Sequence, residues 1–159
     1  MLADNGDGAT SNGESMTITL ATTPSPQLLE AVNSLIPQLS TSTPPLSLEQ
    51  LSSLLAQDGV YVFLFHPQED TEEVLGMLTL ATFQIPTGRR GWIEDVVVDQ
   101  GARGMGAGRS LVEAALGKAA EIGLATVDLT SRPSREAANR LYVRCGFEAR
   151  ETNVYRYKV

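Results

Sequence analysis

The chain has 159 residues, of which 42% are hydrophobic and 19% charged, which is one globular domain able to bury roughly 70% of its unfolded surface without disulfide staples. No apolar run approaches the roughly 20 residues of a membrane span, and no basic start with an apolar stretch behind it marks a secretory signal. The net charge of −7 is uneven: residues 1–88 hold ten acids and no Lys or Arg, whereas residues 89–159 hold all 12 basic residues against nine acids. No basic stripe for nucleic acid results, and the split suits an anion held by the second half and a cation met by the first, or else a bias toward solubility alone.

In chain order, residues 1–15 are polar, glycine-rich and aperiodic and read as a disordered leader, with Met16 opening the domain over residues 16–159. Thr17–Thr22 alternates as a strand. Ser25 followed by Pro26 predicts a helix start, with Leu28, Leu29, Val32, Leu35 and Ile36 on one face and an end near Pro37. Ser40–Pro45 is a loop, and Ser47 with Gln50 forms a capping box for a second helix through Leu55. Val60–Phe65 and Val74–Phe83 read as strands around an acidic turn, His66–Glu73, and Gly91–Asp99 as a β-branched strand. A long helix follows from about Gly106 to Ile122, then a strand Thr126–Thr130, a helix Ser134–Arg144 and a closing strand or hairpin Phe147–Tyr157. This order predicts a single-domain α/β (α+β) fold with a mixed sheet of about six to seven strands flanked by helices.

One cysteine, Cys145, and one histidine, His66, exclude an internal disulfide and any zinc set, and no metal is expected. Cys145 reads as a small filler beside Gly146, and a lone thiol fits a reducing, cytoplasmic setting.

The chemistry concentrates between Trp92 and Phe147. A strand runs into Gln100-Gly101-Ala102-Arg103-Gly104-Met105-Gly106-Ala107-Gly108 and on into a helix. Alternating glycines turn the backbone so that its N–H groups face one concavity, and the helix dipole, Arg103 and Arg109 add positive charge, which together make a pyrophosphate cradle. The alternative is a plain strand-to-helix turn. A nucleoside-triphosphate loop is excluded because Arg109 stands where Lys is required, and the dinucleotide fingerprint fails because Arg109 follows Gly106 at the position of its last glycine.

The segment Arg103-Gly104-Met105-Gly106-Ala107-Gly108 resembles the Arg/Gln-x-x-Gly-x-Gly/Ala signature of the Gcn5-related N-acetyltransferases, in the same place between a strand and a long helix. A second stretch, Ala138, Leu141-Tyr142 and Gly146-Phe147, matches at the family's spacing, and Ile93–Val98 is similar to the central strand of members that acetylate small amines. The resemblance implies acetyl-CoA as donor, with backbone groups of Val96, Val97 and Val98 along the pantetheine arm. Backbone N–H groups of Arg103, Gly104, Met105, Gly106, Ala107, Gly108 and Arg109 would hold the pyrophosphate, and Asn139 the cofactor arm. Arg135, where the family often has Asn, is read either as reaching a phosphate or as solvated, and Asn139 shares that ambiguity.

Attack of an amine on a thioester needs a neutral amine and a proton for the departing sulfur. The resemblance makes Tyr142 the acid, and a phenol near pKa ~10 suits the task; otherwise Tyr142 caps the core. Glu94 and Asp95 break the apolar pattern of a central strand, and partial burial would favour a base there. Strict alternation places them on opposite faces. The similar small-amine enzymes point to Glu94 as base, with Asp95 positioning the acceptor, unless a bulge occupies one of the two. The acceptor site would be built by the acidic half, favouring a polyamine, an aminoglycoside, or an amino-acid or peptide amine, with Tyr61, Phe83, Trp92 and Tyr155 either lining it or packed in the core. A homodimer through Thr152–Tyr157 is a further expectation, and a non-catalytic acyl-CoA sensor is the alternative to an enzyme.

Overall fold

A computed structural model describes residues 15–159; the expected leader lies outside the described residues except for Ser15. The elements run β1 (Thr17–Leu20), α1 (Pro26–Leu39), α2 (Leu48–Leu55), β2 (Val60–His66), β3 (Gly76–Ile85), β4 (Gly88–Val98), a 3-10 turn (Gln100–Ala102), α3 (Ala107–Glu121), β5 (Thr126–Asp128) and α4 (Glu136–Arg144). The sheet has the order β1-β2-β3-β4-β5, antiparallel up to β4 and parallel between β4 and β5.

Both faces of the sheet are covered, which explains why β2 is apolar at consecutive positions. Its Val62 and Leu64 pack with Val32 and Leu35 of α1. Phe63 and Phe65 turn the other way, into a core with Leu111, Val112 and Ala115 of α3 and Tyr142 of α4. The expected start signals form: Ser25 Oγ accepts the N–H of Leu28, and Ser47 and Gln50 satisfy each other's backbone N–H groups as a capping box.

Helix α1 runs through Pro37 to Leu39 instead of ending there. Pro37 forfeits only one hydrogen bond, and tertiary ties hold the turn beyond it: Ser40 N–H donates to Ile36 O (3.0 Å), and Gln38 Nε2 donates to Asp99 Oδ1 (2.7 Å) at the end of β4. The sheet has five strands, fewer than expected. The closing strand is missing, and Glu148–Val159 is exposed and without regular structure. The adjoining β5 spans only Thr126–Asp128 and offers little edge to pair with. Among the described residues, no helix is long and apolar enough to cross a membrane.

Leu111 is wholly buried where α3 meets the sheet. Leu111→Ala is expected to lower unfolding free energy by about 2–5 kcal/mol in a urea titration at constant m.

Candidate functional site

The site begins where β4 outruns β5. The two strands pair only at Arg90–Thr126, Gly91–Val127 and Trp92–Asp128. From Ile93 to Val98 the β5-side edge of β4 has no strand partner, so its backbone polar groups on that side are open to a ligand. Val96 and Val98 direct their side chains to the α3 core and Val97 to the α1 core. Only the backbone of these three residues is free, as a strand-like contact with an amide-bearing arm requires.

The opposite-face arrangement of Glu94 and Asp95 is overturned. Met77 pairs with Val97 but Thr79 pairs with Glu94, so β4 carries one extra residue in a bulge, and Asp95 takes φ 51°. Alternation resets across the bulge. Ile93 and Val96 both lie on the α3 side, while Asp95 faces the cavity under α1 and α2. Glu94 lies opposite Thr79, which lines that same cavity, so the two carboxylates share one face. Both are exposed, so the expected partial burial is absent. Glu94 Oε1 accepts the indole N–H of Trp92 (2.8 Å), and the Asp95 carboxylate has no hydrogen-bond or ion-pair partner among the described residues.

The glycine turn is anchored at Asp99. Its Oδ2 accepts the N–H of Gly101 (2.8 Å) and its Oδ1 the amide of Gln38 (2.7 Å), and these bonds, the Gly101 one foremost, hold the carboxyl below its ordinary range. Arg103 N–H donates to Gln100 O and Met105 N–H to Ala102 O. The N–H groups of Gly104, Gly106, Ala107, Gly108 and Arg109 have no acceptor among the described residues, and they gather at the N-terminus of α3. Gly106 caps that helix at φ 75°, in the left-handed region, without any side-chain cap.

Five unclaimed donors at a helix N-terminus fit a diphosphate. The charge assignment needs correction for Arg109, whose Nε pairs with Glu113 Oε1 at 2.7 Å along α3. Arg103 is exposed and makes no ion pair among the described residues, so it is the side chain left to meet an anion at the turn.

Helix α4 lies close to this turn at Gly108, where a Cβ would stand 3.0 Å from Leu141 Cδ2. Its neighbour Tyr142 is 7% exposed, packs edge-on to Phe147 with centroids 5.9 Å apart, and shares a core with Ile93 and Ala107. Its hydroxyl makes no hydrogen bond among the described residues, and burial pushes the phenol above its ordinary range against the opposing charge of Arg135. Asn139 is already engaged through Nδ2 to Arg132 O (3.0 Å), which leaves its amide oxygen.

Two features escaped the sequence. Ser131 Oγ, just beyond β5, is buried with no partner, and a lone hydroxyl after a short strand carries no periodic signal. The other is a cavity of about 220 Å³ lined by Leu28 and Val32 of α1, Leu51 and Leu54 of α2, and Val62 of β2, with Asp95 as its sole acid. Of the acids expected around an acceptor, Glu30, Glu49, Asp58, Glu69, Asp70, Glu72 and Glu73 are all exposed and none lines this cavity. Of the four candidate aromatics none lines it either; Tyr61 packs against the α3 core under Lys118 Nζ, 5.1 Å from its ring, and Phe83 and Tyr155 are exposed.

The raised phenol has a signed consequence. With the folded value above the unfolded value of about 10, its contribution to stability is full below that pH and is lost as pH rises through the folded value. A tyrosinate absorbance titration is expected to show a component above pH ~10 that Tyr142→Phe removes, with a shallower alkaline loss of stability in the variant.

Residues 28–147 match the model of the acetyltransferase (GNAT) family. No curated protein matches the chain. Among solved structures, an acetyltransferase from Trypanosoma brucei is 24% identical with TM-score 0.74, covering 91% of this chain and 100% of its own. An aminoglycoside acetyltransferase from an uncultured soil metagenomic sample, in complex with trehalose, is 21% identical with TM-score 0.78, covering 91% and 95%. Glucosamine-6-phosphate N-acetyltransferase from Arabidopsis thaliana is 19% identical with TM-score 0.73, covering 89% and 98%. At these identities the likeness is one of fold. It adds to a family match that spans the bulged strand, the glycine turn and α4, and the chain belongs to the acetyltransferase (GNAT) family as an acetyl-CoA-dependent N-acetyltransferase.

Proposed function

We propose that the chain acetylates a cationic primary amine by direct transfer, with Asp95 positioning the amine, Glu94 taking its proton and Tyr142 protonating the departing sulfur. The observation that carries this reading is the open backbone edge of β4 from Ile93 to Val98, which carries the two carboxylates of the bulge and runs into the turn with its five unclaimed N–H groups. Acetyl-CoA supplies the thioester: the ammonium first loses one proton to become the attacking amine, transfer then replaces the C–S bond by a C–N bond, and nitrogen loses a second proton while sulfur gains one, so that one proton is released overall.

The N–H groups of Gly104, Gly106, Ala107, Gly108 and Arg109 hold the diphosphate, with Arg103 adding charge. The backbone of Val96, Val97 and Val98 and the free amide oxygen of Asn139 orient the pantetheine arm. Glu94 is solvent-accessible, which supports removal of the amine proton directly or through water, and its bond from Trp92 fixes the carboxylate's orientation. The buried ring of Tyr142 leaves a neutral hydroxyl without a protein partner, the state a proton donor needs. The carboxylate pair on the face under α1 and α2 supports an acceptor bound on that side, opposite α3.

Glu94→Gln and Tyr142→Phe are each expected to lower kcat by about 10²–10⁴-fold in a CoA-release assay, with acetyl-CoA Kd unchanged by calorimetry. Gly106→Val forces a β-branched residue into the left-handed region at a cost of about 1–2 kcal/mol and is expected to weaken acetyl-CoA binding roughly tenfold or more. Full turnover in the first two variants would refute their assigned roles.

A further inference from the structure

We infer, resting on the acetyltransferase reading above, that the acceptor is a monoamine with one apolar body, an arylalkyl or branched alkyl group seated in the cavity between α1, α2 and the sheet, with its ammonium against Asp95. The cavity's volume is about 220 Å³. An apolar protein cavity of about 150 Å³ accommodates a benzene, so this one accepts a phenyl ring with a short alkyl link. Its walls are aliphatic, from Leu28, Leu51, Leu54 and Val62 among others.

The lining has four polar side chains, Ser40, Thr43, Thr79 and Asp95, and two of them bond each other. Thr43 Oγ1 donates to Ser40 Oγ (2.9 Å), which leaves Thr79 and Asp95 on the sheet side. Asp95 is held by the bulge at φ 51°, and its carboxylate has no partner among the described residues; Glu94 shares the face but lies outside the lining, so within the cavity one cation finds one counter-charge. A second ammonium, as in a polyamine, or the hydroxyls of an amino sugar would lie among leucine and valine side chains with nothing to pair with, and burying such groups unpaired is unfavourable. The acids of the first half do not alter this, because those among the described residues stay on the exposed surface.

The test measures CoA release by the full chain with phenethylamine, spermidine and an aminoglycoside, alongside calorimetric titration of acetyl-CoA and of each amine. A phenylalanyl-glycyl-glycine amide arm distinguishes a free amine from the same chemistry on a peptide N-terminus, and turnover of either supports the inference. Two variants probe the cavity. Leu28→Glu puts an acid into the first turn of α1, where the helix N-terminus favours negative charge, and so brings a charge into the cavity wall. Leu54→Trp fills the cavity from α2.

The expected result is a kcat/KM for phenethylamine at least tenfold above that for spermidine or the aminoglycoside. Each variant should raise the phenethylamine KM by tenfold or more, with acetyl-CoA Kd unchanged, and Leu28→Glu should narrow the preference over spermidine. Preferred turnover of spermidine or the aminoglycoside, or no saturable phenethylamine binding, overturns the inference and leaves the acetyltransferase reading standing. No acetyl-CoA binding and no CoA release with any amine would remove both together.

Discussion

The constraint on which the rest depends is the unequal pairing of β4. On one side it pairs with β3 along its length, and on the other with β5 over only three positions. A strand held rigidly on one edge and left open on the other presents a fixed row of backbone donors and acceptors, which suits a ligand that itself carries amides. The helices make this possible. With α1 and α2 on one face and α3 and α4 on the other, the valines of β4 are buried by their side chains while the backbone edge stays free.

Around that edge three devices act by different physics. The turn after β4 gathers N–H groups that no acceptor claims among the described residues, and the cost of leaving them unsatisfied is relieved by a bound anion or by water. Asp99 ties this turn to α1 through Gln38, so the glycine turn and a helix that walls the cavity share one carboxylate. The bulge at Asp95 adds a residue to one strand and thereby turns two successive acids to one face. Tyr142 is placed by packing, since its ring belongs to the α3 core and meets Phe147 edge-on.

The charge asymmetry has a narrower meaning than it suggests. An acidic first half raises the local concentration of cations near the surface, but the cavity that first half builds is aliphatic, and its one carboxylate comes from β4 in the second half. In the proposed reading, attraction from a distance and recognition at contact therefore fall to different residues. Arg109 makes the same distinction on the cofactor side. It adds to the positive charge of the second half, yet its guanidinium pairs with Glu113 one helical turn on and leaves Arg103 as the free cation at the turn.

The sequence by itself determined whatever depends on neighbouring residues. Ser25 and Ser47 mark helix starts because capping is a bond between residues three apart, and the glycines after β4 announce a turn because only their backbone freedom permits it. The candidate chemistry was legible for the same reason, since Glu94, Asp95, the glycine turn and Tyr142 lie in local motifs. Tertiary structure decided the rest. The bulge exists only as a mismatch of register against β3, so strict alternation placed the two carboxylates wrongly. Pro37 stays helical because Gln38 and Ser40 find partners, one of them 61 residues away. Glu148–Val159 has a strand-like pattern but forms no strand, because a strand needs an edge to pair with and β5 is three residues long. The aliphatic cavity is assembled from α1, α2 and the sheet, and no single segment contains enough of its wall to reveal it.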